Sequence, residues 1–415
     1  MFDGARAWAQ SSPVYYGWVV VGACFVTIAV LFGATFSFGV FFEPIQSTYG
    51  RSRAGVSALF SLQTFVLYAG AAAIGGLVDR YGTRRSLAAG AVLLAGGLAI
   101  AGVAEPFLAL AVGFGVIAAL GLSILHVVGY ATIPRWFGRR RGFAAGVATA
   151  GLGIGMFLIA PTASWLVGAV GWRRSYLLLA ATFLGLVALA TVFIEDSPAS
   201  LGIDASDELG RTDGGEGESH GETGRSVGTL VRMPSFLLTF VGWVLIYSTL
   251  FTILSHLVPH ADDIGIRWAG VWALSLLGLV SVFSRLGIGY LADVVGGTRA
   301  FVLSSLGMGI TMLFLPLATT PPLLLGFAAV FAIGFGGNGA LLSVLPAELF
   351  GVENINTTFG LTLSAFAFAG LGAPYLAGLT FDTLGTYTPA FLAAGLLGIV
   401  GAGLVWVAGR LAPRR

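Results

Sequence analysis

The stretch GGLVDRYGTRRSL at residues 75–87 recurs in looser form as GYLADVVGGTRAF at residues 289–301, 214 residues further along the chain. A second pair, RWFG at 135–138 and ELFG at 348–351, repeats at a spacing of 213. Two independent correspondences at nearly the same offset indicate that the two halves of the chain repeat one another. A repeat of this kind is typical of membrane carriers, whose binding site lies between the halves near the middle of the bilayer.

The sequence around these stretches is too apolar for a soluble protein. Of the 415 residues, 57% are hydrophobic and only 10% are charged, whereas soluble domains are about 25% charged. Twelve apolar stretches are each close to the length of about 20 residues that a membrane-spanning helix needs. They run at approximately 15–38, 56–78, 86–104, 107–133, 142–165, 173–194, 234–258, 268–291, 299–318, 321–346, 357–380 and 386–409.

The predicted fold is therefore an all-α membrane protein with twelve transmembrane helices in two pseudo-symmetric six-helix bundles. We assign residues 1–194 to the N-terminal bundle, 195–233 to a cytoplasmic linker and 234–415 to the C-terminal bundle. The linker holds nine of the chain's 19 acidic residues, and its low hydrophobicity predicts a largely disordered segment. A regulatory or docking role for the linker is the alternative.

The arginines predict the orientation. All 21 basic residues are arginine. With both termini in the cytoplasm, 15 of them fall on the cytoplasmic side and five on the other, while Arg285 falls within a span. Because positive residues concentrate on the cytoplasmic side of membrane proteins, we expect a multi-pass protein of the cell membrane with both termini inside.

The stretch GGLVDRYGTRR resembles the loop signature of the major facilitator superfamily, and this resemblance covers nearly the whole chain. Within the superfamily the sequence is similar to the monocarboxylate and oxalate–formate porters. The pair Gly17-Trp18, the stretch RWFGRRRGFAAGVATAGLGIG at 135–155 and the stretch SRLGIGYLAD at 284–293 carry that similarity. The resemblance implies a secondary transporter that works by alternating access, and not an enzyme.

The signature loops also predict a latch between conformations. Asp79 can accept hydrogen bonds at a helix end, and the loop arginines hold the loop at the cytoplasmic side. Gly82 permits a tight turn. The alternative for the loop arginines, Arg84 and Arg85, is that they serve only as topology signals. The predicted latch residues are Asp79, Arg80, Gly82, Arg84 and Asp293.

Arg285 is the strongest candidate for a binding residue. It lies eight residues before Asp293, so about 12 Å from the helix end at a rise of 1.5 Å per residue. An ionisable residue at that depth is costly and is a functional candidate by default, and a guanidinium can bind a carboxylate through two parallel hydrogen bonds. The alternative is a structural pair with a protein carboxylate, but no Asp or Glu lies deep in any predicted span. The similar porters carry a matching arginine.

Other polar residues are candidates to complete the site. Tyr130 and His126 lie one turn apart on one helix face, although a lone membrane histidine is more often a packing residue. In the proton-coupled monocarboxylate carriers an Asp lies one turn before the arginine, where this chain has Ser281, and no second cation occurs in the eleventh span. One cation suits one carboxylate, so a dicarboxylate is disfavoured. The predicted binding residues are Arg285, Tyr130, His126, Tyr247, Asn338 and Ser281.

The sequence contains no motif for binding a metal or a nucleotide cofactor. Four scattered histidines and one cysteine offer no metal-ligand spacing, and a chain without lysine cannot hold a P-loop. We expect no cofactor, no metal and no nucleic-acid partner, and a monomer in the lipid bilayer that transports a small organic anion.

The predicted substrate is a small monocarboxylate such as lactate, pyruvate or formate. Uniport, symport with a coupled proton and exchange against another anion stay open. The alternatives are a major facilitator exporter of amphipathic compounds, and a carboxylate sensor with little transport whose linker carries the signal.

Overall fold

The computed structural model describes residues 15–137, 141–202, 230–342, 344–350 and 360–411. Twelve of its helices are long and apolar enough to cross a membrane, which confirms the predicted all-α membrane fold. The helices are α1 Gly17–Tyr49, α2 Arg53–Tyr81, α3 Thr83–Val103, α4 Phe107–Ala131, α5 Arg141–Val170, α6 Trp172–Phe193, α7 Pro234–Asp263, α8 Arg267–Val295, α9 Gly297–Leu313, α10 Pro321–Leu341, α11 Ala365–Leu384 and α12 Thr388–Leu411.

Several helices extend beyond the apolar stretches that predicted them. The clearest case is α1, which was expected to end near residue 38 but continues, after a break at Ser37, to Tyr49. Its last turns expose Glu43 while Phe42 and Ile45 are buried. The hydropathy pattern locates the part of a helix that is apolar on all sides, and these turns are apolar on one side only.

The twelve helices form two halves, α1–α6 and α7–α12. We call the side from which residues 195–202 and 230–233 emerge the linker face, and the opposite side, which carries the turns at 50–52 and 385–387, the far face. The halves meet mainly along α2 with α11, α5 with α8, and α1 with α7. Residues 203–229, most of the predicted linker, lie outside the described residues, whereas Pro198–Leu201 form a 3-10 helix.

Glycines let the backbones approach where α5 packs on its neighbours. A Cβ atom added at Gly155 would lie 2.1 Å from the carbonyl oxygen of Ala29 in α1. On another side of α5, a Cβ at Gly153 would lie 2.6 Å from the carbonyl oxygen of Gly278 in α8, in the opposite half. Small residues are what membrane helices need for such close packing, and the small-residue run of α5 therefore serves helix contacts on two sides.

The repeat in the sequence appears as two equivalent turns. Gly82 between α2 and α3 and Gly296 between α8 and α9 both have positive φ angles, of 83° and 94°, a conformation that glycine adopts at little cost. In each half a carboxylate then accepts a hydrogen bond from the first turn of the next helix: Asp196 from Thr83 N–H at 2.7 Å, and Glu348 from Thr298 N–H at 2.8 Å. An anion at a helix N-terminus is stabilising.

We expect Gly155→Ala to lower the thermal unfolding temperature of the detergent-solubilised protein. The added methyl group meets the α1 backbone, and overpacking of this kind costs about 1–3 kcal/mol. Gly146→Ala is the matched control in the same helix, because nothing lies within 4 Å of its added Cβ. An unfolding temperature of Gly155→Ala equal to that of Gly146→Ala would contradict the α1–α5 packing.

Candidate functional site

Arg285 lies deep in α8, ten residues before the helix ends at Val295, which is about 15 Å from the linker-face end. Its side chain is half-buried. The guanidinium packs against α10, where a Cβ added at Gly339 would lie 2.7 Å from Nη2 and 2.8 Å from Cζ. The glycine therefore provides the space that the guanidinium occupies.

The electrostatic neighbours of Arg285 are hydroxyl groups. Tyr130 from α4, in the opposite half, and Tyr247 from α7 are the titratable side chains that interact with its charge. Within the described residues no carboxylate pairs with Arg285, so the alternative of a structural ion pair has no partner there. The geometry brings together three of the predicted binding residues, from both halves of the molecule.

His126 and a set of aromatic rings form the walls around these groups. The His126 ring stacks on Tyr130 at 4.9 Å between centroids and meets the edge of Tyr68 at 5.7 Å. Phe366 of α11 lies 5.3 Å from Tyr68 and 4.0 Å from Tyr247. His126, like Tyr130 and Arg285, is only half-buried despite its position inside the bundle. The partial exposure of these three residues at this depth indicates a space between the two halves, which we call the cavity.

Two polar atoms in this cluster have no hydrogen-bond partner among the described residues: His126 Nδ1 and the Tyr247 hydroxyl are buried without one. An unpaired buried polar group costs about 1–3 kcal/mol. Together with the guanidinium, they give the cavity more hydrogen-bonding capacity than the protein itself uses. The arrangement can bind a small anion that has oxygen atoms to share among several donors.

The other two predicted binding residues point elsewhere. Asn338 is fully buried between α10 and α9, where its amide lies 3.3 Å from Ser305 Oγ and 3.1 Å from the sulfur of Met308. Ser281 is also buried, and its hydroxyl donates to the carbonyl of Gly278 in its own helix at 2.7 Å. Ser281 lies one turn before Arg285 in α8, and Asn338 lies next to Gly339 in α10. Both side chains nevertheless lie on helix faces that pack against protein.

The predicted latch residues lie at the linker face. Arg84 pairs with Glu195 at 3.0 Å and donates to the carbonyls of Thr191 and Val192, so these contacts tie α3 to the end of α6 within one half. Arg80 is exposed, with its guanidinium over the ring of Tyr81. Gly82 forms the turn described above. The side chains of Asp79 and Asp293 lie outside the described residues, and the latch stays a prediction.

A comparison with protein families matches residues 23–374 to the Major Facilitator Superfamily. The chain belongs to the major facilitator superfamily. Among curated relatives, monocarboxylate transporter 13 of Bos taurus is 32% identical over 400 residues, which cover 94% of this chain and 88% of the relative. Monocarboxylate transporter 2 of Homo sapiens is 27% identical over 406 residues, covering 94% and 84%. The predicted resemblance is confirmed, and the superfamily consists of transporters and not of enzymes.

Solved structures of superfamily transporters share the fold. A bacterial homologue of the human lysosomal transporter Spinster, in an inward-facing and unoccupied conformation, superposes with a TM-score of 0.74 at 15% identity and covers 97% of this chain and 98% of that one. A mutant of the peptide transporter POT, in complex with sulfate, superposes with a TM-score of 0.71 at 14% identity, covering 94% of this chain and 95% of that one.

Sequence reasoning missed the apolar part of this major facilitator's cavity. Phe366 carries no polar signal that would separate it from the chain's other 30 phenylalanines. Tyr68 had such a signal, because a tyrosine inside a predicted span brings a hydroxyl group that needs a partner or water. The signal makes Tyr68 a weak candidate for the site, behind the six predicted binding residues, because position along α2 does not show which way its ring points.

We expect a cysteine that replaces His126 to react at least tenfold faster with a charged thiol reagent than one that replaces Val128. His126 borders the cavity, whereas Val128, half a turn further along α4, is fully buried. The chain's single cysteine, Cys24, is also fully buried and adds little background. Mass spectrometry of the purified protein in lipid nanodiscs measures the labelling, and equally slow reaction of both variants would refute a water-accessible cavity at His126.

Proposed function

We propose that this protein transports a small monocarboxylate, such as lactate, pyruvate or formate, across the cell membrane by alternating access. The observation that carries the proposal is the Arg285 guanidinium, which lies inside the bundle between the halves without a carboxylate partner among the described residues. The similarity to monocarboxylate transporters supports it independently. The proposed orientation has both termini and the linker face in the cytoplasm, because most arginines lie on that side.

The substrate's carboxylate binds the guanidinium through a planar pair of hydrogen bonds, a geometry that arginine matches and lysine does not. The hydroxyls of Tyr130 and Tyr247 and the His126 ring are the further groups available to the carboxylate and to the hydroxyl or keto oxygen beside it. Tyr68 and Phe366 bound the carbon chain. Because the site has one cation, it favours one carboxylate over two.

Charge neutralisation links binding to movement. A guanidinium in a medium of low dielectric constant costs several kcal/mol unless it has water or an anion beside it. A bound carboxylate supplies that anion, so the two halves can close over an occupied site more easily than over a bare charge. The halves then rock about the bound substrate, as in other transporters built from repeats.

Uptake of labelled lactate, pyruvate and formate into proteoliposomes tests the proposal. We expect Arg285→Ala and Arg285→Lys to reduce uptake to the level of protein-free liposomes, because neither keeps the two-pronged donor. The control is Arg299→Ala, which removes an exposed arginine of α9. Normal uptake by both Arg285 variants, with correct membrane insertion, would overturn the role of this residue. Transport of none of the three anions would overturn the substrate class.

We expect Gly339→Ala to raise the KM for the transported anion by roughly tenfold, equivalent to about 1.4 kcal/mol. The added methyl group would displace the guanidinium from its place against α10, while the charge remains inside the cavity. Gly326→Ala, in the same helix with nothing within 4 Å of the added Cβ, is the control. If Gly339→Ala left the KM unchanged, the close contact between Gly339 and Arg285 would have no bearing on binding.

A further inference from the structure

The far face is held shut by polar contacts that the proposed binding site does not use. Asp382 of α11 accepts hydrogen bonds from the backbone N–H groups of Arg53 and Ala54, both at 2.8 Å, and so caps the first turn of α2 across the interface. The Arg53 side chain pairs with Asp263 at the end of α7 and donates to the Tyr387 hydroxyl at 2.7 Å. One turn of the N-terminal half thus contacts three elements of the other half.

The contact is reciprocal. Arg267 begins α8, as Arg53 begins α2, and the two are 214 residues apart, the offset of the sequence repeat. Arg267 donates to the carbonyl of Val40 in α1 at 3.0 Å and lies 3.9 Å from Glu43. Each half therefore places the arginine of an equivalent helix start against the other half. We call this set of contacts the far-face clasp.

His256 lies in the middle of the clasp and is fully buried. Its Nε2 is 2.8 Å from the carbonyl oxygen of Pro374 in α11 and 3.1 Å from Ser57 Oγ in α2. Its Nδ1 is 3.0 Å from the Tyr387 hydroxyl. One imidazole ring therefore contacts both halves of the molecule.

These partners fix the tautomer of His256. A carbonyl oxygen only accepts, so Nε2 carries the hydrogen that points to Pro374. Nδ1 of the neutral ring is then an acceptor, and Tyr387 donates to it while accepting from Arg53. Tyr387 lies between α11 and α12, outside the spans, and burial raises the pKa of its hydroxyl. The hydroxyl therefore keeps the proton that it donates to the ring.

A second proton on the ring would disrupt this arrangement. Nδ1–H would face the Tyr387 hydroxyl, whose oxygen already accepts from Arg53, and a second cation would lie beside the arginine. The nearby carboxylates are engaged, Asp263 by Arg53 and Asp382 by backbone N–H groups. The charged and titratable groups that interact with the ring are Arg53 from α2, Asp382 from α11 and Tyr387 before α12. Arg53 also pairs with Asp263 of α7, and the His260 ring meets the edge of Tyr387 at 6.3 Å.

We propose that the far-face clasp is a proton-sensitive gate. Neutral His256 allows the gate to close, and protonation of His256 favours its opening. A histidine that water can reach takes up a proton below about pH 6.5, whereas the closed clasp offers no acceptor for a second proton on the ring, so acid favours the open state. Acid at the far face then increases the fraction of molecules whose cavity opens to that face. The inference goes beyond the proposed function, since the gate contacts are independent of which anion is carried.

The test measures the far-face opening directly and without substrate. Spin labels are placed at Glu105→Cys and Thr320→Cys, two exposed far-face positions in opposite halves, in a Cys24→Ser background in lipid nanodiscs. Between pH 8 and pH 5.5, a range that crosses the pKa of a solvent-exposed histidine and in which most carboxylates stay ionised, we expect the distance between the labels to grow by several ångströms. We expect His256→Gln to keep the short distance throughout, because its amide can still donate to Pro374 but cannot take up a proton.

Two further measurements keep the result interpretable. The distance between labels at Ser47 and Glu105, both in the N-terminal half, should not change with pH. An unchanged distance shows that the wild-type response is gate opening and not unfolding. Tyr387→Phe removes the hydroxyl between Arg53 and His256, and we expect this variant to open at a higher pH than the wild type.

A wild-type distance that does not change with pH overturns the proposal, and so does a pH response that persists unchanged in His256→Gln. Because no substrate is present, loss of the predicted monocarboxylate uptake would leave this measurement unaffected.

Discussion

A positive charge inside an apolar bundle is the constraint on which the arrangement of this molecule depends. The Arg285 guanidinium must have either water or an anion beside it, so the space around it has to remain accessible or become filled. The surrounding groups fit that requirement: the Tyr130 and Tyr247 hydroxyls interact with the charge from the two halves, and the His126 ring stacks on Tyr130. The clasp joins the two halves at the far face, on the opposite side of the bundle from the linker.

The internal repeat gives both halves the same turns and helix caps, but the charged group of the candidate site occurs in one half only. Turns and helix caps occur twice, once in each half, as Gly82 with Asp196 and Gly296 with Glu348 show. Arg285 has no such counterpart, because the residue 214 positions before it is Ala71. The charge comes from one half and most of the polar aromatic wall from the other. Any anion held at Arg285 therefore contacts both halves at once, which is what a substrate must do if its binding is to bias their relative position.

The sequence predicted the features of the structure that depend on composition along a single helix. It did not predict the features that depend on the direction in which a side chain points. The number of helices and the depth of Arg285 follow from hydropathy and helical rise. Asn338 and Gly339 are neighbours in α10, yet the amide faces α9 and the glycine faces the guanidinium. No pattern in a single helix separates these two directions, since they depend on how three helices pack. The contact between Arg53 and Asp263 joins residues 210 positions apart, so no local pattern in the sequence predicts it.

The contact between Gly153 of α5 and Gly278 of α8 has a consequence for how the halves can move. At most helix interfaces side chains interlock, so one helix can turn against another only if rotamers change and the packing is rebuilt. Here the two glycines let the backbones approach near mid-helix, and of the described side chains only those of Val282 and Met156 lie directly against them. A contact with so few interlocking side chains resists a small change in crossing angle less than a fully interlocked one. The two halves can thus change their tilt at this interface while α5 and α8 stay in contact.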